Sequence, residues 1–242
     1  MNLVTALLTN GAYGYPRSAA RRRKATILAC LHQTANTAAA MQERNYANRA
    51  HSTGPSATAY IDKDGSIVRA ILPGKYAAWS QGDVDHPDLT IPTVKAAAAS
   101  GVNMNEWVYE SLEVCGRGAE AFSTQQFEAV AQLVAAASKA TGIKVNRSTV
   151  IAHRDVNTVN RPSDPWPAAT REARLKRVID RANAILNPPP AVVNHVVVAG
   201  DTLSEIATAH GLTLAKLLAF PENATYRKNP ALIHVGDQVR VK

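Results

Sequence analysis

Ala25-Thr26-Ile27-Leu28-Ala29-Cys30-Leu31-His32 is the stretch whose reading decides the fold. It is apolar without alternation, is preceded by charge and ends on a histidine. A strand buried on both faces, as in a largely parallel sheet, needs such a run. A shorter one, Thr149–Ala152, ends the same way, on His153. Ala38 to Ala50 is rich in Ala, Gln, Glu and Arg and reads as a helix. Ala57–Ile61 and Ser66–Leu72 flank Asp62-Lys63-Asp64-Gly65, a hairpin signal in which Asp-Gly supplies positive-φ positions. The two aspartates read as turn chemistry, because a calcium loop would need further ligands and a bidentate Glu. Trp107–Val114 is a further strand. Ser123 and Gln126 form a capping box ahead of Phe127, Val130, Leu133, Val134 and Ala137, and Gly142 stops that helix. Strand and helix patterns alternate, which predicts an α/β fold, a central sheet with helices on its faces.

Asn187-Pro188-Pro189-Pro190 makes the clearest break. Three prolines cannot continue a helix and favour a stiff, extended spacer. Before them, Leu175, Val178, Ile179, Ala182, Ile185 and Leu186 recur at helical spacing over about Ala168 to Leu186. Arg171, Arg174, Lys176, Arg177 and Arg181 fill the other faces of that helix. The expected organisation is a large domain over 1–187, a Pro-rich linker over 188–194 and a small domain over 195–242.

The chain has 242 residues, 46% hydrophobic and 19% charged, which excludes wholesale disorder. No apolar run is long enough to span a bilayer, so no membrane insertion is expected. The net charge of +8 suits an anionic partner such as nucleic acid, a membrane surface or a wall polymer. The one dense basic run, Arg21-Arg22-Arg23-Lys24, reads as a solvated lead-in to a strand. Nucleic acid is not expected, because binding it usually adds further basic patches with interleaved aromatics, and aromatics are only 5% here. Leu3–Leu8 is too short for a secretory signal and no basic segment precedes it, so folding in the cytosol with both thiols reduced is expected. Cys30 and Cys115 read as small core residues.

Candidate chemistry gathers at strand ends. His32 and His153 each close an apolar strand, and Asp164 follows in the polar loop after His153. Two histidines and a carboxylate match a catalytic metal site with an open position for water. The alternative is a pair of structural histidines, since no local signature such as H-E-x-x-H is present. Glu113 sits in the apolar strand Ser111-Leu112-Glu113-Val114. Alternation could expose it, or it could serve as a general base with a raised pKa beside a metal.

Five ordered segments over roughly 25–170 resemble the type 2 N-acetylmuramoyl-L-alanine amidases, the family of phage lysins, wall amidases and peptidoglycan-recognition proteins. They are Ile27–Thr34 around His32, the hairpin Ser56–Val68, Ala77-Ala78-Trp79-Ser80-Gln81-Gly82, Ser111–Val114, and Ile151-Ala152-His153-Arg154-Asp155-Val156 with Arg161-Pro162-Ser163-Asp164-Pro165. The resemblance implies zinc held by His32, His153 and Asp164, with Glu113 as the catalytic residue and Trp79 along the substrate groove. It also departs from the family. Ser80 replaces a frequent histidine, Thr58 stands where the hairpin often has His, and Ala57 aligns with a tyrosine of some phage members. Pro162 stands where many members carry a lysine thought to stabilise the oxyanion. Arg161, or Arg154 in the same loop, is the candidate replacement.

The small domain resembles a LysM module. Its opening, His195-Val196-Val197-Val198-Ala199-Gly200-Asp201-Thr202-Leu203-Ser204-Glu205-Ile206-Ala207, and its closing segment, Leu232–Val241, both match. The resemblance implies a βααβ fold, Thr202 or Asp201 capping the first helix, and a glycan site formed by Gly200, Asp201, Thr202, Leu203 and Ile233. Together the two resemblances imply bacterial peptidoglycan as partner. They imply a zinc-dependent, monomeric endolysin that stays in the host cytoplasm until it is released to the wall. The alternatives are a non-catalytic peptidoglycan-binding protein and a bacterial autolysin or recycling amidase.

Overall fold

Ile27–Gln33 forms strand β2, buried along its whole length. The computed structural model describes residues 2–8, 26–34, 36–49, 56–80, 84–117 and 120–242. Arg21–Lys24, Ala25, Ala50, His51, Gln81 and Gly82 lie outside them. The chain forms two compact units, Met1–Asn187 and Pro188–Lys242.

In the first unit, β1 (Leu3–Thr5), β2, β3 (Ala59–Ile61), β4 (Ile67–Arg69), β5 (Val108–Val114) and β6 (Val150–Ala152) build one mixed sheet, in the order β1-β4-β3-β5-β2-β6. β3, β5, β2 and β6 run parallel to one another, and β4 is antiparallel to β3. Among the described residues, four α-helices accompany the sheet: α1 (Ala40–Arg49), α2 (Pro92–Ala99), α3 (Thr124–Thr141) and α4 (Ala168–Leu186). Strand side chains alternate between faces. Ala59, Ile61, Leu112, Val114, Val150 and Ala152 therefore pack with α3 and α4, through Val130, Val134, Leu175 and Val178 among others. Tyr60 points to the other face, with Ala40 and Ala47 of α1, and Ile151 packs there with Val94 and Ala97 of α2. Covering both faces explains why β2 is apolar from Ile27 to Leu31.

Local rules set the boundaries. Ser123 accepts from the Gln126 backbone while the Gln126 side chain accepts from the Ser123 N–H, and Gly142 ends α3 at φ 74°. In the hairpin, Gly65 sits at φ 82° and donates to the Asp62 carbonyl at 2.9 Å. Asp64 takes the Ser66 N–H at 2.8 Å, and Asp62 takes the Ala40 N–H at 2.7 Å, so both aspartates serve turns and helix starts. Three features differ from the sequence reading. Leu3–Thr5, read only as too short for a signal, is the outer strand β1 and pairs in parallel with β4. Pro92–Ala99 is a helix, with proline in its first turn. Arg171 does not fill a solvated face of α4. It is buried and pairs with Asp155, which lies across from that helix.

The second unit is a βααβ fold: β7 (Asn194–Val196), α5 (Leu203–Ala209), α6 (Leu214–Ala219) and β8 (Gln238–Arg240), with a 3₁₀ stretch over Pro221–Arg227. β7 and β8 pair antiparallel over a core of Val197, Leu203, Ile206, Leu217 and Val239. Asn223 is fully buried. Its amide donates to Leu217 O and Arg240 O at 2.8 Å each and accepts from Arg240 N at 2.9 Å, so it spends little of its polarity unpaired. Thr202 is the cap of α5, accepting from Glu205 N, whereas Asp201 accepts from Val198 N at 2.8 Å and pairs with His195.

Candidate active site

Parallel strands put their carboxyl ends on one side, and side chains there share a crevice. Tyr60 pairs with Glu113, and Glu113 pairs with His32. Leu31 pairs with Ala152, which sets His153 next to His32 at the following position. One row thus crosses four strands at their carboxyl ends: Tyr60, Glu113, His32 and His153.

His153 begins a short 3₁₀ turn, His153–Asp155. Asp155 fixes that turn. Its carboxylate accepts the Ala152 N–H at 2.9 Å and meets Arg147 at 3.0 Å and Arg171 at 3.5 Å. Asp155 is fully buried, and burial raises its carboxyl against the pull of Arg147. Asp164 arrives from the loop beyond. Its Oδ1 accepts the Gln33 N–H at 2.8 Å, and its carbonyl accepts the Arg154 N–H at 2.8 Å. Two residues on, Trp166 is fully buried, with Phe122 at a ring-centroid distance of 4.4 Å and Phe127 at 5.9 Å. Trp166 holds φ 71°, a left-handed conformation costly for a bulky residue, which that aromatic packing maintains beside Asp164.

The ligand-type atoms converge. His32 Nδ1 and His153 Nδ1 are 3.0 Å apart, His153 Nδ1 and Asp164 Oδ2 are 3.0 Å apart, and His32 Nδ1 and Asp164 Oδ2 are 3.9 Å apart. Tetrahedral ligands about 2.0–2.1 Å from one ion lie roughly 3.3–3.4 Å from each other, so these spacings bracket what a shared metal requires. Among the described residues this is the group of three or more His, Cys, Asp or Glu side chains placed to hold a metal ion. Burial, and then the neighbouring His153, push His32 down to about 3, so its ring is neutral, the form of imidazole that binds a metal. Burial works to raise Asp164, but the hydrogen bonds from His153 and from the Gln33 N–H outweigh it and hold the carboxyl below its usual value.

A cavity of about 250 Å³ opens over this row, lined also by Glu43 and Tyr46 of α1, by Trp79 and Ser80, and by Arg161. Burial, followed by the charge of Asp164, raises the Glu113 carboxyl well above its ordinary value. Glu113 itself is half-buried and borders this cavity. Trp79 is half-buried and walls the cavity instead of filling the core; the Ser56 hydroxyl accepts its N–H at 3.1 Å. Arg161 is exposed yet lines the cavity, while Arg154 spends its Nε on the Pro162 carbonyl at 2.8 Å. A larger groove, about 510 Å³, lies between α3 and α4 and contains none of these groups.

The first unit matches the family model described as N-acetylmuramoyl-L-alanine amidase over residues 22–167. The chain belongs to this amidase family. The amidase also carries a LysM domain, whose model matches residues 195–242. Three solved structures share its fold. The catalytic domain of PlyG is 17% identical, with a TM-score of 0.51, covering 79% of this chain and 100% of that one. The Staphylococcus aureus hydrolase AmiA, solved with its ligand, is 16% identical, with a TM-score of 0.52, covering 76% and 84%. PlyL is 17% identical, with a TM-score of 0.50, covering 75% and 97%. No curated protein sequence matches the amidase significantly.

The structure brings His32, His153, Asp164, Glu113, Trp79 and Arg161 to one cavity. Gly200, Asp201, Thr202, Leu203 and Ile233 belong to the second unit. Gly200 turns the chain at φ 95°, but the Leu203 side chain is core and Ile233 packs partly against it, so these two can offer a ligand mainly backbone. Sequence reasoning missed Tyr60, Glu43 and Tyr46. Their signal is the pairing register and one face of α1, neither visible along the chain. It also missed the buried pair Glu110–Arg69, at 2.7 Å, behind the row.

Proposed function

We propose that this amidase cleaves the bond between the lactyl group of N-acetylmuramic acid and L-alanine of the stem peptide, with zinc held by His32, His153 and Asp164. The observation that carries this reading is the convergence of two imidazole Nδ1 atoms and one carboxylate oxygen, 3.0–3.9 Å apart, beside Glu113. Two imidazole nitrogens and one carboxylate oxygen suit zinc and leave room for water and substrate. When bound, zinc supplies Lewis acidity, polarising an amide carbonyl and acidifying water.

The chain's own groups do the rest. Asp164 is fixed by the Gln33 N–H and keeps its negative charge at the histidine pair. Glu113 accepts the proton of the attacking water and returns it to the nitrogen as the C–N bond breaks, so an acid and a free amine result. Its raised pKa brings its proton affinity toward working pH, which suits a general base. Arg161 offers a fork of donors to the developing oxyanion, the part a lysine would otherwise play at Pro162. The LysM domain holds the enzyme on the wall through the turn Gly200–Leu203 and the segment at Ile233, and raises its local concentration there. A wall-lysing role of the endolysin type rests on this pairing of hydrolase and wall-binding domain, with the net charge of +8 favouring an anionic wall.

The test has two arms. Purified protein should contain about one zinc per chain, and His153→Ala should lose both metal and activity. Digested peptidoglycan, read by mass spectrometry, should release intact stem peptides with free L-alanine amino ends. Active protein without zinc sinks the metal assignment, and glycan fragments in place of stem peptides sink the bond assignment.

A further inference from the structure

Glu43 has no cationic partner among the described residues. It sits on the face of α1 that lines the catalytic cavity, with Tyr46 one turn on. It is half-buried, and its Oε1 accepts the Asn36 amide at 2.7 Å. That bond orients the carboxylate but leaves its charge in place. Other carboxylates of this unit are matched by cations: Glu110 by Arg69 at 2.7 Å, Asp155 by Arg147 at 3.0 Å, Glu128 by Arg181 at 2.6 Å. A partly desolvated carboxylate without a counter-ion is costly to keep, and a cationic ligand relieves that cost.

The cavity also carries the opposite sign, because Arg161 lines it from the loop that ends at Asp164. Arg161 is assigned above to the developing oxyanion, so the ligand group left for the α1 wall is cationic. The peptidoglycan stem peptide carries such a group, the side-chain amine of its diamino acid. Tyr46 is 61% exposed beside Glu43, so an aromatic face is open to the methylene chain and ammonium of such a side chain.

We propose that Glu43 is a specificity-determining residue that receives the side-chain ammonium of the stem peptide's diamino acid, with Tyr46 covering its methylenes. This rests on the amidase reading above and names the part of the substrate that the α1 wall selects.

The experiment uses the zinc-loaded full chain and two synthetic muramyl tripeptides that differ only at the third residue. One carries lysine and the other Nε-acetyl-lysine. Acetylation should lower the wild-type kcat/KM about tenfold or more, mostly through KM, as expected on losing a charge-assisted hydrogen bond. Glu43→Gln should discriminate less than about twofold. Glu43→Asp keeps the charge and should keep the preference for free lysine. Equal cleavage of both peptides by wild type overturns the recognition alone, as does full discrimination by Glu43→Gln. Cleavage of neither peptide by zinc-loaded wild type overturns the amidase reading and the recognition with it.

Discussion

His32 and Glu113 are paired residues on neighbouring parallel strands, β2 and β5, within the most extensive run of strand pairing among the described residues. Their separation is set by the sheet, where strands lie about 4.8 Å apart, and not by a loop. A slip of one residue would carry one of the two to the other face of the sheet. Under the proposed assignment, a base mounted beside a metal ligand in this way keeps its distance when loops move.

Glu113→Gln keeps the shape and removes the proton acceptor. Turnover should fall about 10²–10⁴-fold while zinc content stays unchanged. The pH profile adds a sign. Glu113 must be ionised to accept a proton, and burial and Asp164 raise its pKa above the usual 4.5. As pH falls through that raised value the base is lost, so the acid limb of kcat/KM should lie above 4.5. His32, held down to about 3, takes its proton only further into acid and does not set this limb. A limb at or below the ordinary glutamate value would assign the base elsewhere.

Arg161 and Arg154 lie in one loop but differ in what they touch. Arg161 lines the cavity, and Arg154 holds the Pro162 carbonyl at 2.8 Å. Arg161→Ala should lower kcat with little change in KM, the pattern of an interaction made only in the transition state, by about 10²-fold. Steady-state kinetics on a muropeptide decide it. An unchanged kcat leaves zinc as the sole electrophile, and Pro162→Lys should then speed the enzyme.

Gly65→Ala tests the hairpin that carries β3 and, with it, Tyr60. Gly65 sits at φ 82°, and a Cβ there would meet the Gln125 carbonyl oxygen at 2.8 Å. Left-handed strain and that backbone clash should together cost about 2 kcal/mol. In a domain of this size that lowers Tm by roughly 4–8 °C, readable by calorimetry. An unshifted Tm would mean that the loop relaxes freely.

A chain ending at Pro188 keeps every residue of the proposed catalytic site. It should cleave soluble muropeptides at the full-length rate but bind intact walls more weakly, measured by pull-down. Undiminished wall binding would move the anchor out of Val192–Lys242.

Legibility along the sequence followed locality. The Ser123–Gln126 box, the stop at Gly142, the Asp-Gly hairpin and the even apolar run of β2 are local patterns, and the structure contains each of them. β1 was not legible, because three residues pairing with β4 carry no periodicity of their own. Arg171 looked like one basic residue among several on α4, since its partner Asp155 is sixteen positions away and hidden by the fold. Within the cavity, His32, His153, Asp164 and Glu113 could be named through family resemblance, whereas composition and spacing alone favoured structural histidines. Glu43 and Tyr46 stayed silent because a cavity wall is defined by what faces it across space.

The tie from Asp155 to Arg147 and Arg171 bears on when the enzyme becomes whole during synthesis. β6, the turn that carries His153, Asp164 and the first turn of α4 all come from the final third of the catalytic unit. β2 and β5 leave the ribosome well before the strand that completes their row. Until Arg171 has emerged, Asp155 lacks one of its two counter-ions and His153 lacks a braced turn. The nascent amidase therefore carries its proposed base and the first of its proposed metal-binding histidines for many residues before His153 and Asp164 join them, and the last helix of the unit braces the turn.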